Sequence, residues 1–326
     1  MIRFGTLGTA NITPRALVYP CVDEPNATIS VIGARSRERA LGFAEHHHIR
    51  HVVDDYAAVV THDKVNAVYV PLLITAHHEW TIKALRAGKH VLCEKSFASN
   101  ASEAMEMAAV AEETGLVLMD AFHYRYHPIF TRARQIYTSG VLGVIREIYA
   151  AFHIPVPSNH DNIRMQYETG GGVTMDIGCY PISWVRHITG EEPIDVSAEA
   201  ETGPPEVDLY LVAEMTFPGG IKATTSGDMR PNASFKAELK VTGDLGTMTI
   251  SNPLVPQIGN SIEFTIKGET TRESFERRPT YGYQLDAFIS AVETGTALFT
   301  DAADAVKQMQ VIDQCYESAG LRLRGH

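Results

Sequence analysis

Residues 8–13, Gly8-Thr9-Ala10-Asn11-Ile12-Thr13, follow a short apolar run ending at Leu7. That is the place and spacing of a G-x-G-x-x-G dinucleotide turn with only the first glycine kept. Gly8 permits the tight turn, the Ala10 methyl narrows the approach of a pyrophosphate, and Thr13 stands at the third glycine position. In such a turn the N–H groups opening the next helix face the phosphates, which makes Gly8, Thr9, Ala10, Asn11 and Ile12 candidate cofactor contacts. The alternative reading is a plain turn between strand and helix. A second candidate is Ala34-Arg35-Ser36-Arg37-Glu38-Arg39, at the end of the next apolar run. An NAD site usually has a carboxylate here for the ribose 2′-hydroxyl. Arg35 stands in its place, and a guanidinium fork matches a 2′-phosphate. Ala34, Arg35 and Arg39 are therefore expected to favour NADP over NADH, against the alternative of a solvated basic helix start.

His46-His47-His48 and His51 invite a metal reading. No carboxylate or thiolate at ligand spacing accompanies them and the run falls at a helix end, so no metal is expected.

These residues need a scaffold of alternating elements, and the first third supplies one. Strands are expected over residues 2–7, 28–34, 52–53, 67–70, 90–93 and 116–119. Helices are expected from about residue 11, over 36–47, over 78–87 closed by Gly88, and over 102–114 closed by Gly115. Such alternation implies βαβ units and a doubly wound parallel sheet. After Phe122 the pattern changes. A helix over 128–138, a strand over 144–152, a Gly170-Gly171-Gly172 turn and a helix over 175–188 precede period-two runs between residues 196 and 266. Those runs predict a large, mostly antiparallel open sheet, followed by helices over 283–293 and 302–318. The expected division is 1–122, a Rossmann dinucleotide-binding domain, and 123–326, a C-terminal α/β domain for substrate binding and oligomerisation. Met105, Met107, Phe288 and Phe299 are assigned to core packing.

The length of 326 residues agrees with two domains at roughly 150 residues each. Lys plus Arg number 28 against 39 Asp plus Glu, a net charge of −11 that disfavours nucleic acid and anionic membranes as partners. A small molecule is the expected partner. No apolar run approaches the ~20 residues of a membrane span. Cys21, Cys93, Cys179 and Cys315 are scattered without CxxC spacing. Reduced thiols and no leader-like start predict a cytoplasmic protein.

Four longer stretches are more specific. They are Val68-Tyr69-Val70-Pro71-Leu72 before His77-His78-Glu79-Trp80; Ala87-Gly88-Lys89-His90-Val91-Leu92-Cys93-Glu94-Lys95; Met119-Asp120-Ala121-Phe122-His123-Tyr124-Arg125-Tyr126-His127-Pro128; and Gly170-Gly171-Gly172-Val173-Thr174-Met175-Asp176-Ile177-Gly178-Cys179-Tyr180-Pro181. Together they resemble the glucose–fructose oxidoreductase/inositol dehydrogenase (Gfo/Idh/MocA) family over essentially the whole chain. The look is closest to its dimeric dihydrodiol dehydrogenase and NADP-dependent D-xylose dehydrogenase branch. The resemblance implies an active site between the domains at the nicotinamide, and a homodimer or dimer of dimers formed through the C-terminal sheet.

In that family the lysine of the Glu-Lys motif shares acid/base work with the residue four after the glycine-region aspartate. Those residues are Lys95 and Tyr180 here, with Asp176 four positions before Tyr180. On a helix Asp176 and Tyr180 share a face. A tyrosine pKa near ~10 is too high for an efficient base at neutral pH, and a nearby ammonium lowers it. The expected roles are Tyr180 as proton donor and acceptor, Lys95 as its electrostatic tuner, and Asp176 as the orienting carboxylate. Pro71, Leu72, His77, Glu94 and Lys95 match cofactor-side positions. Phe122, Arg125, His127, Arg164 and Tyr180 are substrate-side candidates, Arg125 equally as a structural ion pair between domains. Loops 156–167 and 230–235 are expected to line the pocket. Ser96 replaces the family proline, which leaves the turn after Lys95 less constrained.

The expected activity is NADP-dependent hydride transfer to or from a secondary alcohol or carbonyl of a sugar or vicinal diol. Two alternatives stand beside it: glycoside cleavage by transient oxidation, elimination and re-reduction, and a non-catalytic nucleotide-sensing regulator.

Overall fold

The computed structural model describes residues 1–157, 159 and 161–325. The chain begins with β1 (Ile2–Leu7), a π-helical turn over Pro14–Val18 running into α1 (Tyr19–Asp23), β2 (Ala27–Gly33), α2 (Arg37–His47), β3 (His51–Val53) and α3 (Tyr56–Val60). Next come β4 (Ala67–Val70), α4 (Ile74–Arg86), β5 (His90–Cys93), α5 (Ala101–Thr114) and β6 (Leu118–Asp120). They are followed by α6 (Pro128–Thr138), β7 (Ile145–His153) and a second π-helical turn over Thr174–Gly178 that continues as α7 (Cys179–Thr189). The remaining strands are β8 (Asp195–Thr202), β9 (Asp208–Thr216), β10 (Lys222–Asp228), β11 (Lys236–Gly243), β12 (Gly246–Ser251), β13 (Ser261–Ile266) and β14 (Glu269–Glu273). Helices α8 (Thr280–Thr294) and α9 (Ala302–Ser318) follow.

Two compact units result. The first holds Met1–His123 and Tyr281–Val306, and the second holds Tyr124–Thr280 and the residues from Lys307 onward.

The first unit is built on a parallel sheet in the order β3-β2-β1-β4-β5-β6. Val68, Tyr69 and Val70 of β4 are fully buried, as expected of a parallel sheet covered on both faces. The strand order reverses between β1 and β4, and doubly wound sheets take their ligands outside the carboxyl ends of the strands at that point. Helix starts are capped locally. Ser36 Oγ accepts the Arg39 N–H at α2, and Asn100 Oδ1 accepts the Glu103 N–H at α5. Residues 281–306 return to this unit: the Phe288 ring lies 5.4 Å from Phe4, and the Asp120 N–H donates to the Thr300 carbonyl at 2.9 Å.

The second unit carries an eight-stranded sheet in the order β14-β13-β12-β11-β7-β10-β9-β8, antiparallel except for the β7–β10 pair. In register, Ile148, Ala150 and Phe152 share the covered face with Ala223, Thr225 and Gly227, and with Val241, Leu239 and Ala237. A Cβ on Gly227 would lie 3.0 Å from the Cα of Gly178, so two glycines let the Thr174–Gly178 turn settle directly on the sheet.

Some expectations need correction. The first helix starts at Pro14 rather than near Asn11, because residues 9–12 stay in a turn closed by the Thr13 N–H on the Ala10 carbonyl. Helix α4 starts at Ile74, with no side-chain cap to announce it. Met107 and Phe288 are core residues, but Met105 and Phe299 are about half exposed. Met105 sits two positions from Met107 on α5, which turns it to the opposite face. Phe299 lies in the segment after α8.

Candidate active site

The turn after β1 is held to the end of β2. Gly8 has φ of +87°, and its N–H donates to the Gly33 carbonyl at 2.7 Å. Gly33 itself must lack a side chain, since a Cβ there would lie 2.5 Å from the Asp55 carbonyl oxygen. A Cβ on Gly8 would lie 3.6 Å from the Leu72 side chain, so the loops after β1 and β4 converge at the switch point. Thr9, Ala10 and Ile12 are half-buried and Asn11 is exposed. This arrangement fits a dinucleotide: a glycine turn, an open loop and a helix start at the carboxyl end of the sheet. Ala34 is buried directly after β2, while Arg35 and Arg39 are exposed around the start of α2. Arg37 pairs with Asp54. His46 and His47 occupy the last turn of α2 and His48 its left-handed cap.

Lys95 follows β5, and the Lys95–Ser96 peptide is cis. Around it the first unit gathers buried polar groups. Glu94 accepts the Tyr69 hydroxyl at 2.6 Å, and burial raises its carboxyl pKa above the usual range. His77 is fully buried with Nδ1 3.0 Å from the Ser96 carbonyl oxygen and Nε2 3.1 Å from that of Leu72. His123 is buried and its ring centroid lies 4.0 Å from that of Tyr281. Burial, with the Lys95 ammonium adding to it, lowers the His123 pKa to about 3. Burial also lowers His77 to about 4, again with a contribution from Lys95. Phe122 is buried in the same unit. Pro71 is buried and Leu72 half-buried where β4 ends.

The second unit holds the other candidates. Arg164 Nε donates to Asp176 Oδ2 at 2.5 Å, joining two residues singled out separately in the sequence. The Gly170–Gly172 turn makes this possible. A Cβ on Gly171 would fall 2.6–2.8 Å from the carbonyl oxygens of Gln166, Arg164 and Ile163, and the Gly172 N–H donates to the Arg164 carbonyl at 3.0 Å. Asp176 lies in the π-helical turn and Tyr180 at the start of α7, so their four-residue spacing spans a widened turn rather than regular α-helix. Single π-helical turns inside helices recur at functional sites. Tyr180 is buried against Phe152 and Tyr124, with ring centroids 5.8 and 6.1 Å away.

Arg125 and His127 have other engagements. The Arg125 Nε donates to His187 Nδ1 at 3.1 Å, and burial with three neighbouring arginines drives the His187 pKa well down. His127 Nδ1 accepts the Ile129 N–H at 3.2 Å and caps α6. Loop 230–235 is anchored by Arg230, which bonds Asp228 and Glu201 and lies over the Tyr210 ring. In loop 156–167, Ser158 and His160 lie outside the described residues. Tyr69 and His123 sit inside the motif stretches, whereas nothing local to Tyr281 signals its place beside Glu94.

Residues 2–122 match the model of an oxidoreductase family with an NAD-binding Rossmann fold, and residues 130–249 match that of the GFO/IDH/MocA C-terminal domain. A D-xylose 1-dehydrogenase (NADP(+)) of Haloferax volcanii is 30% identical over 319 residues, covering 98% of this chain and 97% of its own. A dTDP-3,4-didehydro-2,6-dideoxy-alpha-D-glucose 3-reductase of Actinomadura kijaniata is 41% identical over 318 residues, covering 96% and 94%. The crystal structure of a 3-ketoreductase from Actinomadura kijaniata, in complex with NADP and TDP-benzene, superposes with a TM-score of 0.88 at 29% identity over 97% of both chains.

Proposed function

The chain belongs to the GFO/IDH/MocA family of oxidoreductases, and we propose that it moves hydride between NADP and a secondary alcohol or carbonyl of a sugar or vicinal diol. The observation that carries this reading is full-length similarity to a dehydrogenase and a reductase of sugars, joined to an arginine where an NAD site has its carboxylate. Residues 8–12 would receive the pyrophosphate, with Arg35 and Arg39 on the 2′-phosphate and Pro71 and Leu72 alongside. NADP, when bound, supplies or accepts the hydride.

The protein's own work is proton transfer. Alcohol oxidation releases a hydroxyl proton as hydride leaves carbon, and reduction needs the reverse, so a side chain must exchange a proton with the substrate oxygen. Tyr180 takes that role. Tyr180 is buried, and a phenolate out of contact with water needs a cation beside it. Lys95 supplies the cation and a hydrogen bond to the same oxygen. Asp176, itself held by Arg164, orients the substrate. A second copy of the chain is expected on the outer face of the eight-stranded sheet, to be checked by light scattering.

An absorbance screen with NADP⁺ over aldoses and aromatic trans-diols, and with NADPH over keto-sugars, tests the activity. Tyr180→Phe and Lys95→Ala should each lower kcat on any substrate found by about 10²- to 10⁴-fold. Near-normal turnover by both variants would overturn the mechanism. Glycoside release without net NADPH change would replace the reaction.

A further inference from the structure

The C-terminal segment reaches the turn that carries the candidate catalytic residues. Arg324 is fully buried and its NH2 pairs with fully buried Asp208 Oδ1 at 2.7 Å. Its Nε donates to the Gly171 carbonyl at 2.8 Å and its NH1 to the Arg322 carbonyl at 2.9 Å. The guanidinium lies over the rings of Tyr316 and Tyr167, 4.4 and 4.9 Å from their centroids. Asp208 is equally committed. Its Oδ2 accepts the backbone N–H of Thr174 at 2.9 Å and the Thr174 hydroxyl at 2.6 Å, and Oδ1 also accepts the Tyr316 hydroxyl at 3.2 Å. Gly172 makes room for the pair: at its φ of +126° a Cβ would lie 2.0 Å from Asp208 Oδ1 and 2.8 Å from Arg324 NH2.

We infer that Arg324 and Asp208 form a positioning pair for the segment from Asp176 to Tyr180. The two residues grip both sides of one turn. Arg324 holds the Gly171 carbonyl, and Asp208 holds the Thr174 N–H that opens the π-helical turn. Between them, the Asp176 N–H donates to the Gly172 carbonyl at 3.0 Å and the Gly172 N–H to the Arg164 carbonyl at 3.0 Å, so the same grip fixes both partners of the Arg164–Asp176 pair. Replacing a buried ion pair by apolar residues is often neutral or stabilising, so such a pair is poor evidence of a stability device. Its worth here is geometric, since a group misplaced by about 1 Å costs on the order of 10²-fold in rate. Lysine would keep the charge but lose the planar fork that serves three oxygens at once.

The inference rests on the proposed roles of Asp176 and Tyr180, and its test separates the two. Arg324→Ala and Arg324→Lys are compared with the unaltered full chain by amide hydrogen exchange, NADP⁺ binding, and kcat and KM with D-xylose as the probe. The expected result is faster exchange confined to residues 171–180, unchanged NADP⁺ affinity, and kcat lowered by about 10²-fold. Methylguanidinium added to Arg324→Ala should restore part of kcat. Should Arg324→Ala fail to fold, Asp208→Asn and Tyr316→Phe replace it, with the same local exchange pattern expected. Unchanged exchange over 171–180 in folded variants would overturn the inference, as would a rate loss that merely tracks the folded fraction. If the unaltered chain turns over no probe, the activity reading fails while the exchange measurement still decides the clamp.

Discussion

The Ser96 carbonyl oxygen lies 3.0 Å from Nδ1 of His77, whose Nε2 meets the Leu72 carbonyl at 3.1 Å. One buried ring thereby links the loop after β4 to the turn that carries Lys95. A neutral imidazole has one N–H, so it donates to one of these carbonyls at a time. Protonation would satisfy both, but burial opposes it and holds the pKa at about 4. His77 braces the two loops through its contacts with their backbone carbonyls. His77→Asn, too short to span both carbonyls, should cost about 1–3 kcal/mol in urea unfolding, with kcat falling more than NADP affinity. Loss of NADP binding at full stability would show that the ring faces the cofactor instead.

The same burial gives the protein an acid limit. His77 and His123 have native pKa values of about 4 and about 3, whereas an unfolded histidine titrates near ~6.5. Below that value the unfolded chain takes up protons that the native chain refuses. Their contribution to stability is therefore present above the unfolded pKa and lost as pH falls from about 6.5 towards the native values. Each histidine adds a slope of about 1.4 kcal/mol per pH unit over that window. Urea unfolding across this range should show the fall, and a His77→Gln/His123→Asn double variant should flatten it. A flat profile for the unaltered chain contradicts the assignment.

Arg35 is exposed at the end of β2. If it grips the 2′-phosphate, Arg35→Ser removes one charge-assisted contact, about 1.5–3 kcal/mol. The Kd for NADP⁺ should rise about 10- to 100-fold while that for NAD⁺ stays unchanged. Fluorescence titration of both nucleotides checks this, and equal loss for both would remove Arg35 from the phosphate site.

What the sequence made legible was the part governed by local rules. Gly88 and Gly115 close their helices with positive φ, and the alternation up to β6 yields the parallel sheet. The motif stretches pointed to Lys95, Asp176 and Tyr180, but not to what holds them. His77 was legible as a position and not as a brace, because its partners are backbone carbonyls of Leu72 and Ser96, and any residue has a carbonyl. Tyr281 beside Glu94 and Arg324 beneath Gly171 lie more than 150 residues away along the chain, beyond the reach of any periodicity. The π-helical turns were also hidden, since an apolar pattern of a few residues does not distinguish them from α-helix.

Gly171 offers a test of the turn itself. A Cβ there meets three backbone carbonyls at 2.6–2.8 Å, so Gly171→Ala must push residues 163–166 away. Backbone neighbours give poorly, and a loss of about 1–3 kcal/mol is expected on thermal unfolding. Arg164 lies in the displaced segment, so substrate KM should rise with NADP affinity intact. An unchanged melting temperature would mean that the carbonyls are not fixed.

The return of residues 281–306 to the first unit gives the last prediction. Phe288 is fully buried, with its ring 5.4 Å from that of Phe4 on β1, the strand that ends at the Gly8 turn. Phe288→Ala removes a large core ring and leaves a cavity, a change that costs about 3–5 kcal/mol. The loss falls beneath the nucleotide strand, so NADP should recover part of it by binding the native state. About 2.7 kcal/mol is recovered at a ligand concentration 100 times Kd. Melting curves with and without NADP⁺ should therefore separate more widely, relative to total stability, in the variant than in the unaltered chain. A Phe288→Ala protein that melts like the unaltered chain would show that α8 contributes nothing to the core under β1.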